Sequence, residues 1–147
     1  MKKKQTFMKS LLFAMLLGAP LAASAHDVEI NKVNFPDDNF RTWLLKQDYG
    51  EDGVLTESEI KSITKIYVGM RNISSLTGIE HFIALSELWC DANQLTELDV
   101  SKNTALTQLN CSGNQLTTLD VSKNTGLQYF FATTTSSRSW TCQRTPY

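Results

Sequence analysis

The chain has 147 residues, of which 41% are hydrophobic and 20% are charged, and its formal net charge is −1 at pH 7. Residues 1–25 contain four lysines and no acidic residue, so the rest of the chain carries 10 basic against 15 acidic side chains. This acidic balance argues against nucleic acid as a partner. The length favours a single domain of ordinary size.

Residues 1–25 have the features of a secretory signal peptide. Four lysines precede an apolar run over residues 11–18, and the small residues Ala23 and Ala25 flank a serine at the end. The apolar run is too short to cross about 30 Å of hydrocarbon, and no later segment is apolar enough to do so. We therefore predict cleavage after Ala25 and a secreted or periplasmic or surface-exposed product without a membrane span.

Two short helices are predicted next, and together with the loop between them they form a cap over residues 26–62. The first helix spans Pro36–Lys46, starts with proline, and places three apolar residues on one face, namely Phe40, Trp43 and Leu44. The second spans Thr56–Ser62, and Glu59 stands at the capping-box spacing from Thr56. Such a helix-loop-helix would cover the apolar end of a stack of repeats.

The loop Asp48–Glu59 resembles the twelve-residue calcium loop of an EF-hand, with Gly53 at the sixth position. Calcium takes six to eight oxygen ligands, and Gly50 supplies none at the third position, so we expect weak binding, at about 10⁻⁴ to 10⁻³ M. The alternative is a plain turn in which Glu59 only caps a helix. The candidate metal ligands are Asp48, Asp52, the carbonyl of Val54, Thr56 and Glu59.

The rest of the chain is repetitive. The sequence LTELDVSKNT of Leu95–Thr104 returns as LTTLDVSKNT in Leu116–Thr125, and the segments just before them share the pattern LxxLxCxxNxL. A less regular copy starts near Ile63. Leucines in this pattern at a period of 20 to 29 residues are typical of leucine-rich repeats, with one short strand per repeat. We predict an α/β leucine-rich-repeat solenoid with a parallel concave β-sheet, of about three repeats over residues 63–131.

Two residue types recur within the repeat strands and turns. Asn93 and Asn114 are expected to stack as a ladder that hydrogen-bonds backbone groups where each strand ends.

Cys90 and Cys111 hold the same inward position in consecutive repeats, with strands about 4.8 Å apart. A disulfide needs Cβ atoms at about 3.8 Å that point toward each other, so we expect buried thiols, and a strained bridge is the alternative.

The return side of each repeat lacks the length for a regular helix. In Asp99–Asn103 and Asp120–Asn124, the Asp, Ser and Asn side chains are expected to satisfy backbone donors of tight turns in an extended or 3₁₀ conformation. Ser75–Ala84 has room for about one helical turn, and His81 within it is expected to be structural.

Side chains alternate along a strand, so the residues on the concave face can be listed from the sequence. They form three rows, and the middle row is rich in exposed aromatic residues, which are enriched at binding surfaces and suit sugar rings. The alternative is ordinary packing between neighbouring strands. The candidate partner-binding residues are Lys65, Glu87, Gln108 and Tyr129 in the first row, Tyr67, Trp89, Asn110 and Phe131 in the second, and Asp91 in the third.

The irregular tail, residues 132–147, lacks the leucines of a repeat. Back-translated and shifted by one base, it can encode LFCNNNQLTKLDVSKNTL, which is a further repeat. Trp140 followed by Thr141 forces the aspartate of LDV in that frame. We therefore predict a single-nucleotide frameshift near codons 129–132, and a truncated product of a longer protein, with little function of its own, is an alternative.

The signal peptide, the acidic helix-loop-helix and the LTxLDVSKNT repeats together resemble secreted leucine-rich-repeat proteins of Bacteroidetes, which are similar in style to internalin-like surface proteins. The resemblance covers about residues 28–128. It implies a surface or secreted recognition protein with an interaction or adhesion role, and it identifies no substrate or partner. The expectation of a protein or glycan ligand comes from the aromatic residues of the concave face. His26 and His81 are the only histidines, and no Ser-His-Asp or HExxH arrangement occurs, so we predict a non-enzymatic adhesion module, with a calcium-binding structural module as another alternative.

Overall fold

The computed structural model describes residues 27–133 and 141–143. The predicted signal peptide and most of the 132–147 tail lie outside these ranges. The structure therefore does not test the predicted frameshift. The described elements, in chain order, are β1 (Val28–Glu29), α1 (Asp38–Leu44), β2 (Val54–Leu55), α2 (Glu57–Ser62), β3 (Lys65–Tyr67), a 3₁₀ helix (Ile79–His81), β4 (Glu87–Trp89), β5 (Gln108–Asn110), β6 (Thr118–Asp120), β7 (Tyr129–Phe131) and β8 (Thr141–Gln143).

Helix α1 is shorter than predicted. It begins at Asp38 rather than Pro36, because the Asp37 side chain accepts hydrogen bonds from the backbone N–H groups of Asn39 and Phe40, each at 2.9 Å. Asp37 is therefore the N-cap, and the proline lies outside the helix. The predicted apolar face is present, since Phe40 and Leu44 are fully buried.

Helix α2 starts with the predicted capping box. The backbone N–H of Glu59 donates to the Thr56 hydroxyl at 3.3 Å, and the Glu59 carboxylate accepts from the Thr56 backbone N–H at 3.0 Å. Thr56 is thus the N-cap, one residue before the helix. The strand β2 just ahead of it pairs antiparallel with β1, which ties the cap loop to the start of the described chain.

Four strands form a parallel sheet in the order β3, β4, β5, β7. The register pairs Lys65 with Glu87, Gln108 and Tyr129 in turn, so the repeat is 22 residues long once and 21 residues long twice. The central residues Ile66, Leu88 and Leu109 are at most 1% exposed. The prediction of a mixed α/β fold with a parallel sheet is confirmed.

The return side combines short extended and 3₁₀ segments, as the sequence predicts. The first repeat has its 3₁₀ helix within the predicted range, and its His81 ring packs on Phe35 with centroids 5.8 Å apart. In the third repeat, β6 pairs in parallel with β8. Among the described helices, none is long and apolar enough to cross a membrane.

Buried asparagines join each repeat to the one before, as predicted for the ladder. The Asn93 amide donates to the carbonyls of Val68 and Cys90, at 2.8 and 3.0 Å, while its oxygen accepts from the backbone N–H groups of Arg71 and Ile73, both at 3.0 Å. Asn114 repeats the pattern one turn later, donating to Cys90 and Cys111. Each side chain thus spans two consecutive turns.

A second asparagine ladder lies on the return side, and here the sequence interpretation was wrong. Asn103 and Asn124 were expected to satisfy backbone donors, but their amides donate to backbone carbonyls of the preceding repeat. Both side chains are buried, and their Oδ1 atoms have no hydrogen-bond partner within the part of the chain that the structure describes. For the aspartates the prediction is confirmed, because Asp99 and its counterpart Asp120 each accept a backbone N–H of the turn at 2.8 Å.

Cys90 and Cys111 are fully buried and are not joined by a disulfide, which confirms the prediction of buried thiols. Burial raises the pKa of the Cys90 thiol well above its ordinary value, and the neighbouring Cys111 acts in the same direction. The thiolate is the reactive form of cysteine, so this thiol is held unreactive.

Asp37 also fastens the cap to the first repeat. Its second carboxylate oxygen accepts from the backbone N–H and hydroxyl of Ser74, both at 2.8 Å, and from the backbone N–H of Ser75 at 3.2 Å. Partial burial acts to raise the pKa of Asp37, but the hydrogen bonds from Phe40 and the two serines outweigh it and lower the pKa. The carboxylate therefore contributes stability that is present above its unfolded pKa and is lost as the pH falls through the folded value.

Replacing Asp37 should weaken both the helix and its attachment. We expect Asp37→Ala to lower the free energy of unfolding at pH 7 by about 1 to 2 kcal/mol, the range for a lost N-cap. The difference from the wild type should begin to shrink as the pH falls below about 3.9, the pKa of aspartate in the unfolded chain, and should keep shrinking toward the lowered folded pKa of Asp37. Urea titration at several pH values measures both effects. Asp38→Ala, which removes an exposed carboxylate paired with Arg41 and leaves the Asp37 cap in place, is the control and should cost clearly less than Asp37→Ala.

The turn after each strand requires a left-handed backbone conformation. Met70, Ala92 and Gly113 hold the same position in three consecutive repeats, with φ of 56°, 50° and 68°. Side chains with a Cβ are disfavoured there, whereas glycine is not. The first two repeats therefore carry strain that the third avoids.

Ala92→Gly should relieve that strain and raise the free energy of unfolding by about 0.5 to 1 kcal/mol. Ala105→Gly is the matched control, because Ala105 is exposed in another turn and has no positive φ. There the added freedom of the unfolded chain should be neutral or destabilising. Chemical denaturation of both variants compares them, and a destabilised Ala92→Gly would contradict the assignment of strain.

Candidate functional site

The sheet register places the predicted rows on one exposed face. Lys65, Glu87, Gln108 and Tyr129 stand in one row, and Tyr67, Trp89, Asn110 and Phe131 in the next. Backbone bonds from Met70, Ala92 and Gly113 to the carbonyls of Asp91, Ser112 and Thr133 continue the alignment past the strands. We call this surface, made of the nine predicted partner-binding residues, the aromatic face.

Glu87 contacts two neighbouring side chains, those of Lys65 and Tyr67, at the start of the aromatic face. Its carboxylate lies 2.7 Å from the Lys65 ammonium and accepts the Tyr67 hydroxyl at 2.5 Å. The hydrogen bond from Lys65, then that from Tyr67, lowers the pKa of Glu87. The same contacts raise the pKa of Lys65 and of Tyr67. At neutral pH the lysine and glutamate are therefore an ion pair with a neutral tyrosine hydroxyl beside it.

Tyr67 and Trp89 form the aromatic centre of this surface. Their ring centroids are 5.7 Å apart at an interplanar angle of 80°, an edge-to-face contact. Both rings remain substantially exposed, at 46% and 43%. The glutamate bond fixes one ring and the ring contact fixes the other, so a partner would meet surfaces that are already ordered.

The other members differ in exposure. Tyr129 and Phe131, on the last strand of the sheet, are 56% and 57% exposed. Gln108, Asn110 and Asp91 are half-buried between the aromatic positions, and the Asn110 side-chain oxygen accepts from the Ser112 backbone N–H at 3.2 Å. The aromatic face thus combines aromatic rings with amide and carboxylate groups, an arrangement suited to binding a partner.

One residue of this edge was missed from the sequence. Met70 lies three residues after the end of β3, has a left-handed backbone conformation and is 80% exposed. The available signal was its alignment with Gly113 two repeats later, since a glycine at an equivalent position indicates a positive φ. An exposed, flexible thioether three residues after Tyr67 adds apolar surface that a partner could contact.

The predicted calcium ligands are only partly assembled. Gly53 has the positive φ of 82° expected at the sixth position, but Asp52 accepts the Val54 backbone N–H and Glu59 is engaged in the capping box. Within residues 27–133, no three His, Cys, Asp or Glu side chains lie close enough together to hold a metal ion. Calcium binding by Asp48, Asp52, Val54, Thr56 and Glu59 stays a prediction.

The contact between Tyr67 and Glu87 should be visible as a late tyrosine ionisation. Glu87→Gln removes the charged acceptor, so we expect the pKa of Tyr67 to fall toward its ordinary value of about 10. Ultraviolet titration of tyrosinate measures it, with Tyr67→Phe to assign the signal and Tyr49, whose pKa burial raises to about 12, as an internal reference. Glu97→Gln, on the return side, should change nothing. An unchanged titration in Glu87→Gln would contradict the contact.

Comparisons with known proteins place the chain near the internalins. No protein-family model matches it. Internalin J of Listeria monocytogenes serotype 4b (strain F2365) is 37% identical over 71 residues, which is 48% of this chain and 8% of Internalin J. The chain thus spans a small part of the length of this curated relative.

Solved structures of internalins give the same result. The functional domain of InlJ from Listeria monocytogenes, which includes a cysteine ladder, matches 78% of this chain and 25% of that domain, with 31% identity and a TM-score of 0.65. InlF of strain 4b F2365 matches 75% of this chain and 33% of its own, with 30% identity and a TM-score of 0.58. InlC2 of the same strain, 20% identical with a TM-score of 0.53, shares the fold. The chain is therefore homologous to internalin-type leucine-rich-repeat proteins from Listeria.

Proposed function

We propose that the chain is a secreted or surface-exposed, non-enzymatic interaction or adhesion module, built as a leucine-rich-repeat solenoid, that binds a partner on its aromatic face. The observation that carries the proposal is the row of exposed aromatic side chains held in register by the parallel sheet, with Tyr67, Trp89 and Phe131 between 43% and 57% exposed. Exposed clusters of this kind mark interaction surfaces.

The chemistry of the aromatic face supports a protein partner first. Tyrosine and tryptophan dominate the binding energy of protein interfaces, and the ordered pair Tyr67 and Trp89 loses little conformational freedom on binding. A glycan is the alternative, because the same rings can stack on sugars while Gln108 and Asn110 bond to hydroxyl groups. Homology to internalins favours an interaction role over catalysis.

The location of the protein is also a proposal. Export rests on the signal-peptide features of residues 1–25, and placement among Bacteroidetes-type secreted proteins rests on the LTxLDVSKNT turns. Weak calcium binding in Asp48–Glu59 would add a stabilising ion to the cap. A truncated product with reduced function remains the alternative if the predicted frameshift is real.

The proposal can be tested without knowing the natural partner. Peptide ligands are selected from a phage-displayed library against the chain from His26 to Tyr147, and the same protein is applied to a glycan array. The double variant Tyr67→Ala/Trp89→Ala should lose at least about thirtyfold in affinity for the selected ligands, since truncating even one hot-spot aromatic residue costs about 2 kcal/mol or more. Loss on the peptide arm assigns a protein partner, and loss on the array assigns a glycan.

Ile83→Ala is the matched control, because Ile83 is 52% exposed and lies outside the aromatic face. It should bind as the wild type does. Circular dichroism of all variants confirms that the fold is kept, which the exposure of the replaced rings predicts. Selected ligands that bind the double variant as tightly as the wild type would overturn the proposal.

A further inference from the structure

A groove of about 470 Å³ opens on the return side of the repeats and shares no residue with the aromatic face. Its floor is formed by Leu76, Leu98 and Leu119, which hold related positions in three consecutive repeats. The first and last of these are 3% and 2% exposed, whereas Leu98 is only half-buried. We call this surface the lateral groove. Its volume falls within the range of known ligand sites.

Part of the backbone along the lateral groove, at Thr96 to Leu98, is open, whereas β6 in the same lining pairs with β8. On the sheet side, consecutive repeats are joined by regular parallel strand pairing. On the return side, no hydrogen bond between the described residues engages the backbone N–H or carbonyl groups of Thr96, Glu97 or Leu98. This exposed segment therefore offers unpaired backbone groups, to which an extended peptide can add by main-chain hydrogen bonds.

The rim of the lateral groove is acidic. Among the described lining residues are four carboxylates, those of Glu80, Glu97, Asp99 and Asp120, and one cation, Lys102. Lys123 lies just outside the lining and acts on Asp120, so the rim keeps an excess of negative charge. Hydrogen bonds from the backbone N–H groups that follow them lower the pKa of Asp99 and of Asp120, so both are ionised at neutral pH. A concave surface with one dominant sign of charge attracts ligands of the opposite sign.

We propose that the lateral groove binds an extended peptide segment that carries lysine or arginine together with apolar side chains. An apolar side chain of the segment covers Leu98, its backbone pairs with the open backbone at Thr96 to Leu98, and its cationic groups lie among the rim carboxylates. A peptide is favoured over a free small cation because only a peptide satisfies the unpaired backbone as well as the charge. This site is separate from the aromatic face and does not depend on the function proposed for it.

The test uses a fluorescein-labelled, end-capped peptide of sequence Lys-Leu-Lys-Leu-Lys and the chain from His26 to Tyr147. Fluorescence anisotropy should show saturable binding that weakens as salt is added, because exposed charges are screened. The matching peptide Glu-Leu-Glu-Leu-Glu should not bind. Absence of binding by the lysine peptide would overturn the proposal.

Matched charge reversals separate the lateral groove from general attraction to an acidic protein. Glu97→Lys places a cation on the rim and should weaken binding by at least about tenfold, as expected for juxtaposed like charges. Glu51→Lys makes the same change of net charge in the exposed cap loop and should alter binding by less than about twofold. Equal effects of the two reversals would overturn the assignment to the groove.

Two further arms identify the occupant. Free spermine carries the cationic groups without a peptide backbone, and it should compete poorly. Competition by spermine as strong as that by unlabelled peptide would assign the groove to small cations and overturn the peptide proposal. The Tyr67→Ala/Trp89→Ala variant should bind the lysine peptide unchanged, so failure of the aromatic face and failure of the lateral groove give different results.

Discussion

The hydrogen bonds of the buried asparagines are the interaction on which the rest of this structure depends. At the end of each strand the chain must turn, and the turn leaves backbone N–H and carbonyl groups inside the protein, where leaving them unpaired is costly. Asn93 and Asn114 satisfy such groups in their own repeat and in the one before it. Because one amide serves two turns, it fixes the register between them.

That register determines both surfaces. On one side it brings residues 22 and 21 positions apart into rows, which is why Tyr67, Trp89 and Phe131 lie along one exposed line. On the other side the repeats are joined by the second pair of asparagines rather than by continuous strand pairing, and the lateral groove opens beside Leu98. The sheet side is thus ordered and aromatic, and the return side is open and acidic.

The parallel sheet and the rows of the aromatic face could be predicted from the sequence. The repeat period gives the strand of each repeat, and the alternation of side chains along a strand gives the exposed residues. It does not reveal long-range contacts formed by single residues. The contacts of Asp37 could not be predicted, because its serine partners lie 37 and 38 positions away in the sequence. The start of helix α1 was predicted too early because proline is common at the first helical position. The direction of the Asn103 bonds was also missed, because asparagine can donate or accept and only the position of the neighbouring repeat decides which.

The most direct test of this account is the free energy of unfolding of Asn114→Ala compared with that of Gln115→Ala, measured by urea titration. Asn114 is buried and bridges two repeats, whereas Gln115 carries a similar amide, is adjacent in the chain and is exposed. We predict a loss of about 2 to 3 kcal/mol for Asn114→Ala, since several backbone groups lose their partner at once, and less than about 0.5 kcal/mol for Gln115→Ala. Equal, small losses in both variants would contradict the claim that the asparagine ladder holds the repeats in register.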